Sequence, residues 1–251
     1  MKKTVSIIVI MTIVLLFSSL VYAQPNNSLL NKRIKLEDAE TPQDFVSSLQ
    51  ILFLFTILTL APSILIMMTS FTRIIIVLSF IRNALGLQQT PPNQVLIGIA
   101  LFLTFFIMAP IGNQINTEAI QPYLNEEIDQ KIAIDRAMEP IREFMFKQTR
   151  NKDLSLFMNV AKIDEANNLK DIPNRVIIPA FIISELKTAF QIGFVIYIPF
   201  LVIDMVVSST LMSMGMMMLP PVIISLPFKI LLFVLVDGWN LIAKSLILGF
   251  K

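Results

Sequence analysis

Four apolar segments near membrane-spanning length limit what this chain can fold into. Leu49 to Met68 continues past Arg73 to Ile81, and Val95 to Ile111 carries no charge at all. Pro179 to Asp204 and Val222 to Phe250 follow, both interrupted by ionisable residues. A helix needs roughly 20 apolar residues to cross the hydrocarbon of a bilayer. The chain is 55% hydrophobic and 15% charged, with a mean hydropathy of +0.73. Soluble domains carry charge on about 25% of their residues. The expected fold is therefore all-α: an integral membrane protein of long helical hairpins, with a small helical extracytoplasmic domain.

Taken in order, residues 1–23 read as a signal peptide. Lys2 and Lys3 form the basic start, Val5 to Val21 the apolar core, and Val21-Tyr22-Ala23 a small-residue cleavage site. Residues 24–48 are a polar leader, in which Thr41-Pro42 resembles a helix N-cap followed by proline at the first helical position. Residues 49–111 form a first helical hairpin. Pro62 is expected to kink its first helix, and the turn lies in Asn83 to Gln94, with Gly86 and Pro91-Pro92 as the breakers. Residues 112–175 change character. They are rich in charges of both signs, yet Ile134, Met138, Ile141 and Met145 recur at helical spacing. This stretch is expected to be a periplasmic helical domain. Residues 176–251 form a second helical hairpin, entered between Pro173 and Pro179 and joined by a Met-rich loop.

The chain contains no Cys and no His. That excludes thiolate nucleophiles, Cys/His zinc sites and Ser-His-Asp chemistry. There is no GxGxxG or Walker A run, and the acidic residues show no metal-ligand spacing. No cofactor, no metal and no enzymatic activity are expected. A net charge of +2 is too small to point to nucleic acid.

The charges inside the apolar segments carry more meaning. Only Thr188 to Ile203, 16 residues, is charge-free in the third segment. Each ionisable group exposed to lipid costs on the order of 2.5–3.5 kcal/mol, so such groups face protein or water. Arg73, Arg82, Glu185, Lys187, Asp204, Lys229 and Asp237 are accordingly candidates for contacts between subunits. Asp237 and Lys244 are seven apart and share a helical face if the helix is continuous. The alternative is pairing within the chain, such as Asp204 with Lys229 across the second hairpin. With the N-terminus outside, the first hairpin tip and the Met-rich tip both point to the cytoplasm, and residues 112–175 lie outside.

That second tip, Ser208 to Pro221, reads SSTLMSMGMMMLPP and holds five methionines: Met212, Met214, Met216, Met217 and Met218. A turn between apolar helices is normally polar. This one has no charge. Methionine is unbranched and soft and repacks readily. The stretch is either a deformable plug in a conduit or a greasy loop lying on lipid or neighbouring helices.

Three stretches together resemble one family. PAFIISELKTAFQIGF at 179–194, Met68 to Arg73 with LSFIRNALGLQQTPP at 78–92, and SMGMMMLPP at 213–221 are similar to the hallmarks of the FliP family of flagellar biosynthetic proteins, the P component of type III secretion export gates. The likeness runs from about Gln50 to Gly249. It implies a homo-oligomer, a pentamer in the family's picture, assembled with FliQ- and FliR-type subunits in the flagellar basal body at the bacterial inner membrane. It implies that much of the complex is raised toward the periplasm, that the Met-rich loop constricts the closed pore, and that unfolded flagellar subunits are the cargo. A virulence-type injectisome subunit is the nearest alternative; a solute or ion channel subunit stands further off.

Overall fold

The computed structural model describes residues 42–163, 171–216 and 218–250. The signal peptide at 1–23, residues 24–41 of the leader, and Met217 lie outside the described residues. The described residues are helical and turn, with no strand among them. Helix α1 spans Pro42–Met67, α2 Phe71–Ala84 and α3 Asn93–Ile115. A π-helical turn, Asn116–Ile120, leads into the short α4, Gln121–Leu124. Then come α5 Gln130–Gln148, α6 Asn151–Val160, α7 Asn174–Ser213, α8 Pro221–Leu235 and α9 Gly238–Leu248. The chain divides at Leu60/Ala61 into two units, and every candidate site residue lies in the second, Ala61–Lys251.

The first apolar segment is not one helix. It breaks at Met68–Ser70, where α1 ends and α2 begins. α1 itself starts at Pro42 and continues through Pro62. Its apolar stretch Leu49–Leu60 is shorter than a span. α2 is the centre of the main core. Ile74, Val77, Leu78 and Ile81 are buried on it, together with Leu96 and Ala100 of α3, Ala189 and Phe200 of α7, Phe233 of α8, and Ile242 and Leu246 of α9. Small residues let α7 approach. A Cβ on Gly193 would lie 2.5 Å from Cγ of Phe80, so only glycine fits that crossing.

A second cluster joins Met68, Phe144, Met145, Ile177 and Phe181, so the charged region 112–175 packs against the first half of α7. Met138 and Ile141 join that cluster as the helical spacing predicts, but Ile134 stays exposed. Where composition changes at residue 112 the backbone does not: the helix runs unbroken from Asn93 to Leu124, through Pro110.

Two described helical stretches are long and apolar enough to cross a membrane, Asn93–Leu124 and Asn174–Ser213; a third span is possible if α8 and α9 count as one. Those two meet at a bend of 61°. The fourth segment is thus bent, not straight. The break sits at Asp237, whose backbone is left-handed with φ +50°, a region that Asp tolerates better than most residues. Helical spacing cannot be carried across it, so Asp237 and Lys244 do not share a continuous face. The Asp237-Gly238 pair is the sequence signal for this turn.

Both apolar hairpins end their first helix in the same way. At α2, Gly86 has φ +78°, its N–H donates to the carbonyl of Asn83, and the N–H of Leu87 donates to that of Arg82. At α7, Gly215 has φ +76°, its N–H donates to Met212, and the N–H of Met216 donates to Leu211. These are Schellman caps, which satisfy carbonyls that a helix end otherwise leaves open. The first of these turns lies beside the start of α8. A Cβ on Gly86 would lie 3.6 Å from Leu226 and 3.8 Å from Val222, in the first turns of α8.

Candidate functional site

Three features stand out: the exposed loop between α7 and α8, the half-buried Asp204–Lys229 pair near it, and the fully buried Arg73–Glu185 pair near the other end of α7. The loop is shorter than its sequence suggests. Helix α7 runs 40 residues and ends at Ser213, so Ser208 to Ser213, expected in the turn, is helical. The reason lies in the hydroxyls. Thr210 Oγ1 donates to the carbonyl of Val207 at 2.8 Å, and Ser213 Oγ to Ser209 at 2.9 Å, so these polar side chains bond back along the helix and do not break it. Met212 therefore sits in the last helical turn. Met214, Met216 and Met218 lie in the connection itself. Met212 and Met214 are exposed, Met218 is 98% exposed, and Leu219 is also exposed. Pro220 caps α8, with Pro221 as its first residue. Nothing lies within 4 Å of the Cβ position at Gly215. The loop thus presents apolar side chains outward from the chain that carries them. Below it, Val202, Val206, Thr210, Leu211, Ile224 and Phe228 line an open apolar groove between α7 and α8.

The first charge pair lies deep. Arg73 and Glu185 are both buried, and 112 residues separate them in sequence. Arg73 Nε donates to Glu185 Oε2 at 2.9 Å, and Nη2 donates to Oε1. This is the two-pronged geometry that suits guanidinium and carboxylate. Arg73 also donates from Nη2 to Oε1 of Gln148 at 3.0 Å and from Nη1 to the carbonyl of Gly249 at 3.1 Å. Its guanidinium carbon lies 3.9 Å from the centre of the Phe250 ring. One side chain therefore ties α2 to α7, to the end of α5 and to the end of α9. Ser184 extends the node: it accepts from the backbone N–H of Arg150 at 3.0 Å and donates to the carbonyl of Gln148 at 3.3 Å.

The second pair holds the hairpin beneath the loop. Lys229 Nζ donates to Asp204 Oδ2 at 2.6 Å, and Ser225 Oγ donates to Asp204 Oδ1 at 2.5 Å. Lys229 and Ser225 are buried, one helical turn apart on α8, and face one carboxylate on α7.

For these four ionisable residues the compensation that sequence alone assigns to neighbouring subunits is met inside the chain. The Asp204–Lys229 pairing across the hairpin is the internal alternative considered above. Arg82 is also engaged: Nη1 donates to Asn93 Oδ1 at 2.6 Å and to the carbonyl of Pro91 at 3.3 Å, bracing the first turn. Lys187 and Asp237 stand apart from both pairs, on the exposed surface. Sequence reasoning missed Gln148, Ser225, Gly249 and Phe250. Only Ser225 had a usable signal, a hydroxyl four residues before Lys229 in an apolar run. Among the described residues no group of three or more acidic side chains could hold a metal ion.

Comparison with known proteins gives one consistent family. Residues 54–246 match the model of the FliP family. The chain is 62% identical over 221 residues to the flagellar biosynthetic protein FliP of Bacillus subtilis (strain 168), an alignment covering 88% of this chain and 100% of that protein. It is 57% identical over 208 residues to the protein of that name from Pectobacterium carotovorum subsp. carotovorum, covering 83% of this chain and 81% of the relative. It is 53% identical over 210 residues to that of Aquifex aeolicus (strain VF5), covering 83% and 88%. By family match and by relatives alike, the chain belongs to the FliP family.

Proposed function

We propose that this chain is a non-enzymatic subunit of the flagellar type III protein export gate, and that its loop from Met212 to Met218 closes the conduit through which unfolded flagellar subunits pass. The observation that carries this reading is the outward display of uncharged thioethers beyond a helix end whose Leu211 and Met212 carbonyls are bonded by the turn itself. Side chains of this kind from several copies meet on an axis and seal it by packing and dewetting. They part around varied cargo and close again because no fixed hydrogen bond has to be broken.

The reading includes a homo-oligomer, a pentamer, with FliQ- and FliR-type partners at the bacterial inner membrane and a periplasmic portion formed by residues 112–175. The uncovered apolar faces support it. Only 17% of the most apolar window in Asn93–Leu124, and 11% of that in Asn174–Ser213, is buried by the chain itself. Lipid or sister helices must cover the rest. Arg82, Lys187 and Asp237 remain candidates for contacts with those neighbours. Because Arg73 pairs with Glu185 and Lys229 with Asp204 within the chain, neither pair supplies a free ionisable group for a solute or proton path. The relatives carry flagellar names, which favours the flagellum over an injectisome.

Two measurements test this. Purified from membranes, the chain is expected to come out in a defined multimer with two small hydrophobic partners; a stable single copy that is fully active in export would end the reading. Deleting Met216 to Met218 is expected to make export-competent cells leaky to small ions and solutes. Unchanged permeability in cells whose complex still assembles would remove the seal.

A further inference from the structure

The bent pair α8–α9 is anchored at both ends. Near its start, Ser225 and Lys229 hold Asp204 of α7. At its finish, the carbonyl of Gly249 accepts from Arg73, the Arg73 guanidinium lies over the Phe250 ring, and that ring stacks on Phe144, with ring centroids 6.0 Å apart and planes at 23°. The cation therefore meets the carbonyl end of α9, the end that carries partial negative charge. The elbow between the anchors is filled. A Cβ on Gly238 would overlap the Phe233 ring, and Trp239 meets that ring edge-on at 5.3 Å. Phe233 is buried in the main core. A joint packed this way transmits a displacement instead of absorbing it, because close-packed interiors do not deform continuously. Directly before α8 comes the Met loop.

We propose that α8, the Phe233–Gly238 elbow and α9 act as one rigid lever, and that the Arg73–Phe250 clasp at its far end sets the position of Met218 and Leu219, which lead into α8. The clasp is separable from the ion pair that it shares. Arg73 reaches Glu185 through Nε and Nη2, and Gly249 through Nη1, so loss of Phe250 leaves the α2–α7 tie in place. The lever stands whether or not the loop closes a pore, so its test is independent of the proposed function.

The absence of cysteine makes the test clean. A single Met218→Cys variant carries a spin label in the purified full-length protein. It is compared in three backgrounds: Phe250 retained, Phe250→Leu, and Phe250→Trp. Leucine keeps apolar contact but has no ring face for the cation; tryptophan keeps the face. Backbone hydrogen exchange is read on the same samples. With Phe250→Leu, amides 241–248 are expected to exchange about tenfold faster, the fold-change that loss of a desolvated cation–ring contact brings, and the label at 218 to change mobility. Amides 181–189 and 74–81 are expected to keep their protection. Phe250→Trp is expected to restore both readouts. Unchanged exchange in α9 would overturn the clasp, and faster exchange in α9 with an unchanged label at 218 would overturn the lever. Loss of protection in α2 and α7 as well would reduce Phe250 to ordinary core and overturn the proposal too.

Discussion

Replacing Arg73 by alanine is expected to destabilise the chain by about 3–5 kcal/mol, the range found when one member of a buried ion pair is removed. Glu185 is fully enclosed, and without Arg73 its two oxygens lose both donors. The same change releases Gln148 and the end of α9. Glu185→Ala leaves the guanidinium enclosed and is expected to cost nearly as much, less what Gln148 and Gly249 still accept. The combination Arg73→Met with Glu185→Leu should be milder than either single change, because well-packed apolar side chains of similar volume often replace a buried pair without loss. The measurements are the quantity of each variant that accumulates in the membrane and its unfolding midpoint in detergent. A double variant as poorly folded as Arg73→Ala would show that the pair matters for something other than mutual compensation.

Gly193→Val is expected to be the next most damaging change, for a steric reason. The added Cβ would come within 2.5 Å of Cγ and 2.7 Å of Cδ2 of Phe80. Rotation of Phe80 would not relieve all of this, since its Cβ also lies at 3.0 Å, and it would break the edge-on contact of its ring with Phe190 at 5.2 Å. Either that ring contact breaks or α2 and α7 separate. Overfilling a packed site costs typically about 1–3 kcal/mol, and here it strikes the crossing on which the main core is built. Unlike Arg73→Ala, this defect has a simple remedy: Phe80→Ala in the Gly193→Val background should recover most of the lost protein. Failure of that suppressor, with Gly193→Ala already as poor as Gly193→Val, would mean that glycine is needed there for its backbone and not for the space.

Local chemistry made much of this fold legible. The breakers at Gly86 and Pro91-Pro92 mark the first turn, and Gly215 with Pro220-Pro221 marks the second, because left-handed glycines and prolines act within one turn of chain. Asp204 and Lys229 could be paired on paper, since a hairpin brings them to matching depth. The partner of Glu185 could not. It is 112 residues away, and no spacing rule reaches that far. Treating Glu185 as an uncompensated charge made neighbouring subunits seem necessary where Arg73 of the same chain suffices. Serine and threonine misled in the opposite direction: Ser208 to Ser213 looks like turn composition, yet apolar surroundings leave hydroxyls little to bond but their own helix. Asp237-Gly238 carried a turn signal that the length of the flanking apolar run concealed.

A helix end that bonds its own last carbonyls asks less of its surroundings. Most connections between transmembrane segments need water, headgroups or a partner's donors where the helix stops. The glycine turn after Met212 bonds inward to Leu211 and Met212 instead. A change of surroundings at the tip, from water to apolar groups, therefore leaves those bonds in place. What the tip feels in each setting is only how well sulfur and methyl groups fit, a shallow preference that favours rapid and repeated exchange of neighbours.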